Sequence, residues 1–227
     1  MEMINKFEIM AQENLRIAKQ EKALAKESKL VGKTELKRAK ARELLVDKEL
    51  ILARVKREWA EKKINLVIDK RNLKKKGYIE IQEPDLKSEE ETALYNQKIA
   101  IIQEDIAKLN MDIAFLERKI AKKLINLVDD KLYAAKEREK LAKDQETYIK
   151  DFKAKLPESK LSQHMDQIKN QERVLNKARN IITEEETEIN KKQNELSNLK
   201  KDLSLKLSER EKIRHGKINS DFYENTK

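Results

Sequence analysis

Every seventh residue from Met3 is apolar with one exception: Met3, Met10, Ile17, Leu24, Val31, Arg38, Leu45, Leu52, Trp59, Leu66 and Leu73. The residue after each is small or aliphatic: Ile4, Ala11, Ala18, Ala25, Gly32, Ala39, Val46, Ala53, Ala60 and Val67. A seven-residue spacing returns to nearly the same side of an α-helix, so two adjacent rows in phase predict one long helix over about residues 2–76. Heptads sustained this far predict coiled-coil packing, with the large row as the core seam and Trp59 in it. Gly32 is the one candidate break, since Gly costs about 1 kcal/mol against Ala inside a helix. The unchanged register on either side favours continuity, and its place on the small row predicts close approach of another helix.

Lys74, Lys75, Lys76 and Gly77 read as a helix end, with cations in the last turn and Gly beyond it. Read functionally, the same basic run is an anion-binding tip. A short connector over 78–83, with Ile79 and Ile81, leads to Pro84. Asp85 is the expected N-cap of the next helix, with Ser88 as a rival and Glu89, Glu90 and Glu91 in its first turns. This second helix is expected over about 86–155. Its seam is Ile99, Ile106, Ile113, Ile120 and Leu127, partnered by Tyr95, Ile102, Leu109 and Leu116 in alternating four- and three-residue steps. Leu94, Ile101 and Phe115 widen the stripe. The pattern thins from Asp129 to Thr147, where looser packing is expected.

Pro157 marks a second turn, either a hairpin or an elbow. The third helix is expected over about 158–215, with a single clean row: Leu161, Ile168, Leu175, Ile182, Ile189, Leu196 and Leu203. Gly216 is expected to end it, leaving 217–227 as a flexible tail. Short turns between long helices favour antiparallel neighbours. The predicted fold is all-α: an elongated antiparallel bundle of three very long helices with coiled-coil packing, one domain over 1–216.

Composition agrees with this reading. The chain is 41% charged, 4% aromatic, and has 3 Gly and 2 Pro in 227 residues, against about 25% charge in ordinary globular domains. High charge also describes disordered chains, but disorder does not require periodic apolar rows. No cysteine is present, so no disulfide or thiolate metal site is expected. No stretch approaches the ~20 apolar residues of a membrane span. The opening Met1–Met10 lacks a signal-peptide core, Glu2 stands where myristoylation needs Gly, and the last residues offer no Cys for a lipid. A cytoplasmic protein, soluble or peripheral, is the expectation.

Catalytic and cofactor signatures are missing. Gly32, Gly77 and Gly216 are far apart, so no phosphate-binding loop can form. His164 and His215 lack metal-ligand spacings. Glu184, Glu185, Glu186 and Glu188 form an acidic cluster, expected to be a solvated face pairing with lysines. No catalytic residue, cofactor or metal is therefore expected, and a non-enzymatic role is.

Charge is distributed unevenly. The net charge is +10, and residues 1–76 hold 22 of the 52 Lys/Arg but only 12 of the 42 Asp/Glu, so the whole excess lies there. Lys19, Lys26, Lys33 and Lys40 follow one another at seven-residue spacing, opposite the large apolar row. Either they are a solvated exterior or they meet an acidic partner, such as an anionic membrane or an acidic filament. In layout the chain is similar to BAR domains and to the PspA and ESCRT-III group, with long basic helices folded back on one another. That resemblance implies a membrane-binding or membrane-shaping module.

Three function classes follow. The first expectation is a structural scaffold or assembly subunit, a homo-oligomer or one with protein partners. Its helix-pairing seams are Ile17, Leu24, Val31, Gly32, Leu45, Leu52, Trp59 and Leu66 on the first helix, Ile99, Ile106, Ile113 and Ile120 on the second, and Leu161, Ile168, Leu175, Ile182, Ile189 and Leu196 on the third. The second class is the membrane module. Against insertion, Met1–Met10 carries Glu2 and Glu8 but only Lys6. Nucleic acid is the weakest partner, because Trp59, Tyr78 and Tyr95 are not interleaved with the basic stripe.

Overall fold

The computed structural model describes residues 2–224, with side chains from 4 to 216. Three helices account for nearly all of it: α1 (Glu2–Lys75), α2 (Glu83–Lys153) and α3 (Glu158–Glu224), with no strand among the described residues. Contacts gather into two compact units, unit 1 (Met1–Arg38 and Lys119–Gln193) and unit 2 (Ala39–Arg118 and Asn194–Lys227). Each contains a stretch of all three helices.

Within each unit neighbouring helices run antiparallel. In unit 1, Asn14 bonds Gln145 at 3.1 Å and Lys29 bonds Asp129 at 2.5 Å. In unit 2, Arg42 holds Glu117 at 2.8 Å and Lys70 holds Glu89 at 2.7 Å. The α2/α3 pairing in unit 1 joins Asp151 to His164 at 2.9 Å and Lys123 to Glu188 at 2.5 Å, so the Pro157 turn is a hairpin. In unit 2, Glu117 and Asp105 of α2 meet Lys200 and Lys206 of α3.

The helix ends follow from local chemistry. α1 closes with Gly77 N–H donating to the Lys74 carbonyl and Tyr78 N–H to that of Leu73, with Gly77 at φ +73°. That bond pair is the Schellman arrangement, in which a left-handed residue satisfies the last carbonyls. α2 ends the same way: Lys155 N–H donates to Phe152, Leu156 N–H to Asp151, and Lys155 takes φ 53°. α2 begins at Glu83, earlier than the expected Asp85 or Ser88 cap. Pro84 sits in its first turn, where a missing N–H costs nothing, and Leu86 N–H donates to the Gln82 carbonyl. α3 runs through Gly216 to Glu224 instead of stopping at His215. Gly216 keeps φ out of the left-handed region that a Gly cap needs, so it ends nothing; the last residues of the expected tail, 225–227, lie outside the described residues.

Gly32 does not interrupt α1, and it is buried. The burial pattern along α1 departs from expectation by one residue. The small row is the buried one: Ala18 is wholly covered, and Ala25, Ala39, Val46, Ala53 and Ala60 nearly so. The large row stays in water, with Leu24 63% and Trp59 64% exposed. Alanine lets two helix axes approach closely, and a row of Leu at that position would hold them apart.

The partner row of the buried alanines lies four residues on: Leu15, Lys22, Lys29, Leu36, Glu43, Leu50, Arg57, Ile64 and Arg71. Leu50 packs with Ala107 and Met111 of α2 and Ile64 with Leu86 and Ala93, Leu15 and Leu36 are half-buried, and the charged members pair across to α2. Lys22 pairs with Glu139 and Lys29 with Asp129 in unit 1. In unit 2, Glu43 meets Arg118 at 2.9 Å, Arg57 meets Glu104 at 2.9 Å, and Arg71 meets Glu90 at 2.6 Å.

The expected loose stretch of α2 is among its most buried. Ala134, Ala135, Leu141, Ala142 and Gln145 are all buried, as are Tyr148 and Ile149 just beyond it. Of these, Ala134, Leu141 and Tyr148 form a core cluster of unit 1 with Ile168, Leu175 and Ala178 of α3, and Phe7 of α1 packs against it with its ring tilted 5.5 Å from that of Tyr148. Small residues there admit a helix on each side. In unit 2, Val67, Leu86 and Ala93 pack with Ile64 and Ile81, anchoring the connector between α1 and α2. Burying a side chain such as Leu86 contributes about 1.5–3 kcal/mol.

Candidate interaction surface

Three faces of α1 follow from its geometry. Successive residues advance by about 100° around the axis. With the Ala row buried on α2, the large apolar row faces solvent on one flank and the lysine row on the other. On the apolar flank, Leu24 and Val31 are exposed in unit 1; Leu45, Leu52, Trp59 and Leu66 are exposed in unit 2, each by more than half. Trp59 is therefore not core. Leu44 at 69% and Ile51 at 55% extend this strip in unit 2. Ile17 is half-buried and Gly32 buried.

The seam residues of the other helices lie inside their units. Ile106, Ile113 and Ile120 of α2 are buried and Ile99 is half-buried. On α3, Ile168, Leu175 and Ile189 are buried, and Leu161, Ile182 and Leu196 are half-buried. Leu94, Ile101 and Phe115, expected to widen the α2 stripe, remain exposed.

On the opposite flank, Lys19, Lys26 and Lys33 of unit 1 are exposed, and none forms an ion pair among the described residues. Lys40, in unit 2, is likewise exposed and unpaired. The neighbouring lysines do pair: Lys22 bonds Glu139, while burial and then the nearby Lys143, Lys136 and Lys26 push its ammonium below the usual lysine range.

Unit 1 holds an apolar groove of about 1030 Å³. Its floor is Leu124, Leu127, Val128 and Ala134 of α2. One wall is Leu24, Val31 and Gly32 of α1, and the other is Ile182 and Thr183 of α3. Charges rim it unequally. Glu27 and Glu35 stand on the α1 wall and Arg179 on the α3 wall, with Lys131 and Arg138 beside the floor. Arg138 is 9% exposed; one guanidinium nitrogen bonds Glu21 at 2.6 Å, while its buried Nε has no partner.

Other polar clusters are paired within the fold. Glu186 and Glu188 of the acidic cluster bond Lys131 and Lys123. Glu185 is held up out of the usual carboxylate range by burial and by the facing Asp130. Glu104 is held down by its hydrogen bonds to Lys108 and Arg57. No group of three His, Cys, Asp or Glu suited to a metal ion occurs among the described residues, and no described helix is long and apolar enough to cross a membrane. Comparison with protein-family models and with curated proteins finds no match.

The signal that would have located the α1/α2 seam is the row beginning at Leu15. Read for apolar content alone it is invisible, because five of the nine positions from 15 to 71 are charged.

Proposed function

We propose that this chain is a non-enzymatic structural subunit, cytoplasmic, that assembles through the exposed apolar row of α1. The observation that supports this is the division of labour on that helix. The small row, with Leu50 and Ile64 beside it, pairs α1 with α2, while Leu24, Val31, Leu45, Leu52, Trp59 and Leu66 of the large row are each more than half exposed. Large apolar residues at heptad spacing on a charged helix are the chemistry of helix-to-helix pairing.

Sedimentation velocity across a concentration series tests it. The wild type is expected to form oligomers, and Leu45→Glu with Leu52→Glu and Trp59→Glu to be monomeric with unchanged helicity. A wild type that stays monomeric at about 100 μM, where even weak specific interfaces associate, overturns the proposal.

A second reading rests on the unpaired lysines. Lys19, Lys26, Lys33 and Lys40 support contact with an acidic partner, an anionic membrane or an acidic filament, in a membrane-binding or membrane-shaping role. Co-sedimentation with anionic liposomes at two salt concentrations tests this, because such contacts weaken as salt screens them. Salt-sensitive binding lost on charge reversal of the four lysines supports it; binding unchanged by the reversal overturns it.

A further inference from the structure

The groove of unit 1 and the exposed strip of unit 2 are complementary. We infer that the α1 segment Leu52–Leu66 of one copy docks in the unit 1 groove of the next, head to tail. This rests on the assembly reading above and names the two surfaces that meet.

Length is the first match. The groove is lined on α1 from Glu21 to Glu35, and the docking segment runs from Leu52 to Leu66. The groove covers fifteen positions, about 21 Å of helix at 1.5 Å per residue, and the exposed strip, which begins at Leu44, is long enough to fill it with its Leu52–Leu66 part. Apolar content is the second. Leu52, Val55, Trp59 and Leu66 lie on one flank of the segment and are each 43% exposed or more, while Leu24, Val31, Leu127 and Ile182 line the groove. A helix laid there adds a fourth to three, the helix-in-groove mode of recognition. Lys62 shares the flank, and its aliphatic stem can lie along the seam with the ammonium at the mouth.

Charge is the third match, and it selects a direction. At about 100° per residue, Lys56 and Lys63 fall on one side of the apolar flank and Glu58 on the other. Among the described residues none of the three forms an ion pair, and neither do Glu27 and Arg179 of the groove, while Glu35 bonds Arg38 at 2.9 Å on its own helix. A guest running in the same direction as the host α1 sets Lys56 and Lys63 against the Glu27 and Glu35 wall, and Glu58 against Arg179. A reversed guest places like charges together, which disfavours that arrangement.

Groove and segment are different surfaces, so the contact is heterologous. Such contacts repeat from copy to copy and build an open filament unless the rotation closes a ring.

Two variants at exposed positions test this. The groove variant is Leu24→Glu with Val31→Glu, and the segment variant is Leu52→Glu with Trp59→Glu. Circular dichroism confirms that each is folded, and light scattering after size-exclusion chromatography gives the mass. The expected result is that wild type polymerises and each variant alone is monomeric. An equimolar mixture then gives a one-to-one dimer, because one partner keeps its groove and the other its segment. If wild type is monomeric, the assembly reading itself fails. If wild type assembles but the groove variant still polymerises, or two monomeric variants do not combine, assembly stands and this pairing is overturned. In those cases the groove is left to another occupant, such as a lipid or a different protein.

Discussion

A Cβ placed on Gly32 would stand 3.1 Å from Cγ1 of Ile125, across the α1/α2 interface of unit 1. The helices meet there at the distance a missing side chain allows. Gly32→Leu is expected to lower stability by about 1–3 kcal/mol through overpacking, read from urea or thermal unfolding. In an Ile125→Ala background, Gly32→Ala should instead stabilise by about 1 kcal/mol, the helix-propensity difference. A neutral or stabilising Gly32→Leu would show that Ile125 swings aside and that contact does not set the spacing.

Lys155 takes the left-handed conformation that ends α2, at φ 53°. A side chain there costs about 1–2 kcal/mol relative to the right-handed form, while glycine adopts it freely. Lys155→Gly is expected to raise stability by about 0.5–1 kcal/mol, less the extra entropy of a more flexible unfolded chain. Gly77→Ala, at φ +73°, should do the opposite at the end of α1. Matched urea denaturation of the two variants checks both signs.

Glu185 is half-buried beside Asp130, with one carboxylate oxygen lacking any partner. Its raised pKa means the folded state holds this proton more tightly than the unfolded chain does. The charged form therefore opposes folding at neutral pH, and the opposition fades as pH falls through the folded pKa. Glu185→Gln should raise the melting temperature at pH 7 and have less effect under acid conditions. A lower melting temperature at pH 7 would mean that the carboxylate's attraction to Lys123 outweighs its burial and Asp130.

Glu104 carries the opposite sign. It is 6% exposed and meets Lys108 at 2.8 Å, Arg57 at 2.9 Å and Arg54 at 3.9 Å. Its lowered pKa gives stability that is present above the unfolded value, about 4.3, and is lost as pH falls through the folded one. Glu104→Gln should therefore melt earlier than wild type at pH 7, with the two curves converging at the acid end. Parallel curves at every pH would show that the charge is not what matters.

Breaks in the chain were readable where the chemistry is local. Gly77, Pro84 and Pro157 constrain the backbone within a residue or two, so three helices and two turns were evident from the sequence. The face each helix buries was not, because side-chain size stood in for burial. Leu24 is large and exposed; Ala25, beside it, is small and buried. Close helix pairing selects small residues, and a seam built from Ala on one row and a mixture of aliphatic and charged residues on the next has no strong apolar signature.

The same substitution hid the density of α2 beyond Asp129. Ala134, Ala135 and Ala142 dilute hydrophobicity, yet they admit α1 and α3 together. The lysine stripe was legible as an exposed row, since charge at a regular spacing away from the buried face needs no tertiary information. The groove was not, because it depends on where three separate helices leave a gap.

The antiparallel pairing of α1 with α2 orders its contacts by chain separation. Lys74 and Glu83 are 9 residues apart, Arg57 and Glu104 47, Lys29 and Asp129 100, and Glu8 and Lys153 145. Closing the widest loop directly costs about 2.5 kcal/mol more than closing the narrowest, but each pair closes cheaply once the one before it has formed. Folding should then zip outward from the Gly77 turn, so substitutions near that turn slow folding and those near Glu8 speed unfolding. Synthesis runs in the same sense: Lys22 leaves the ribosome 117 residues before Glu139, and until then the α1 turn around it has no α2 partner to close upon.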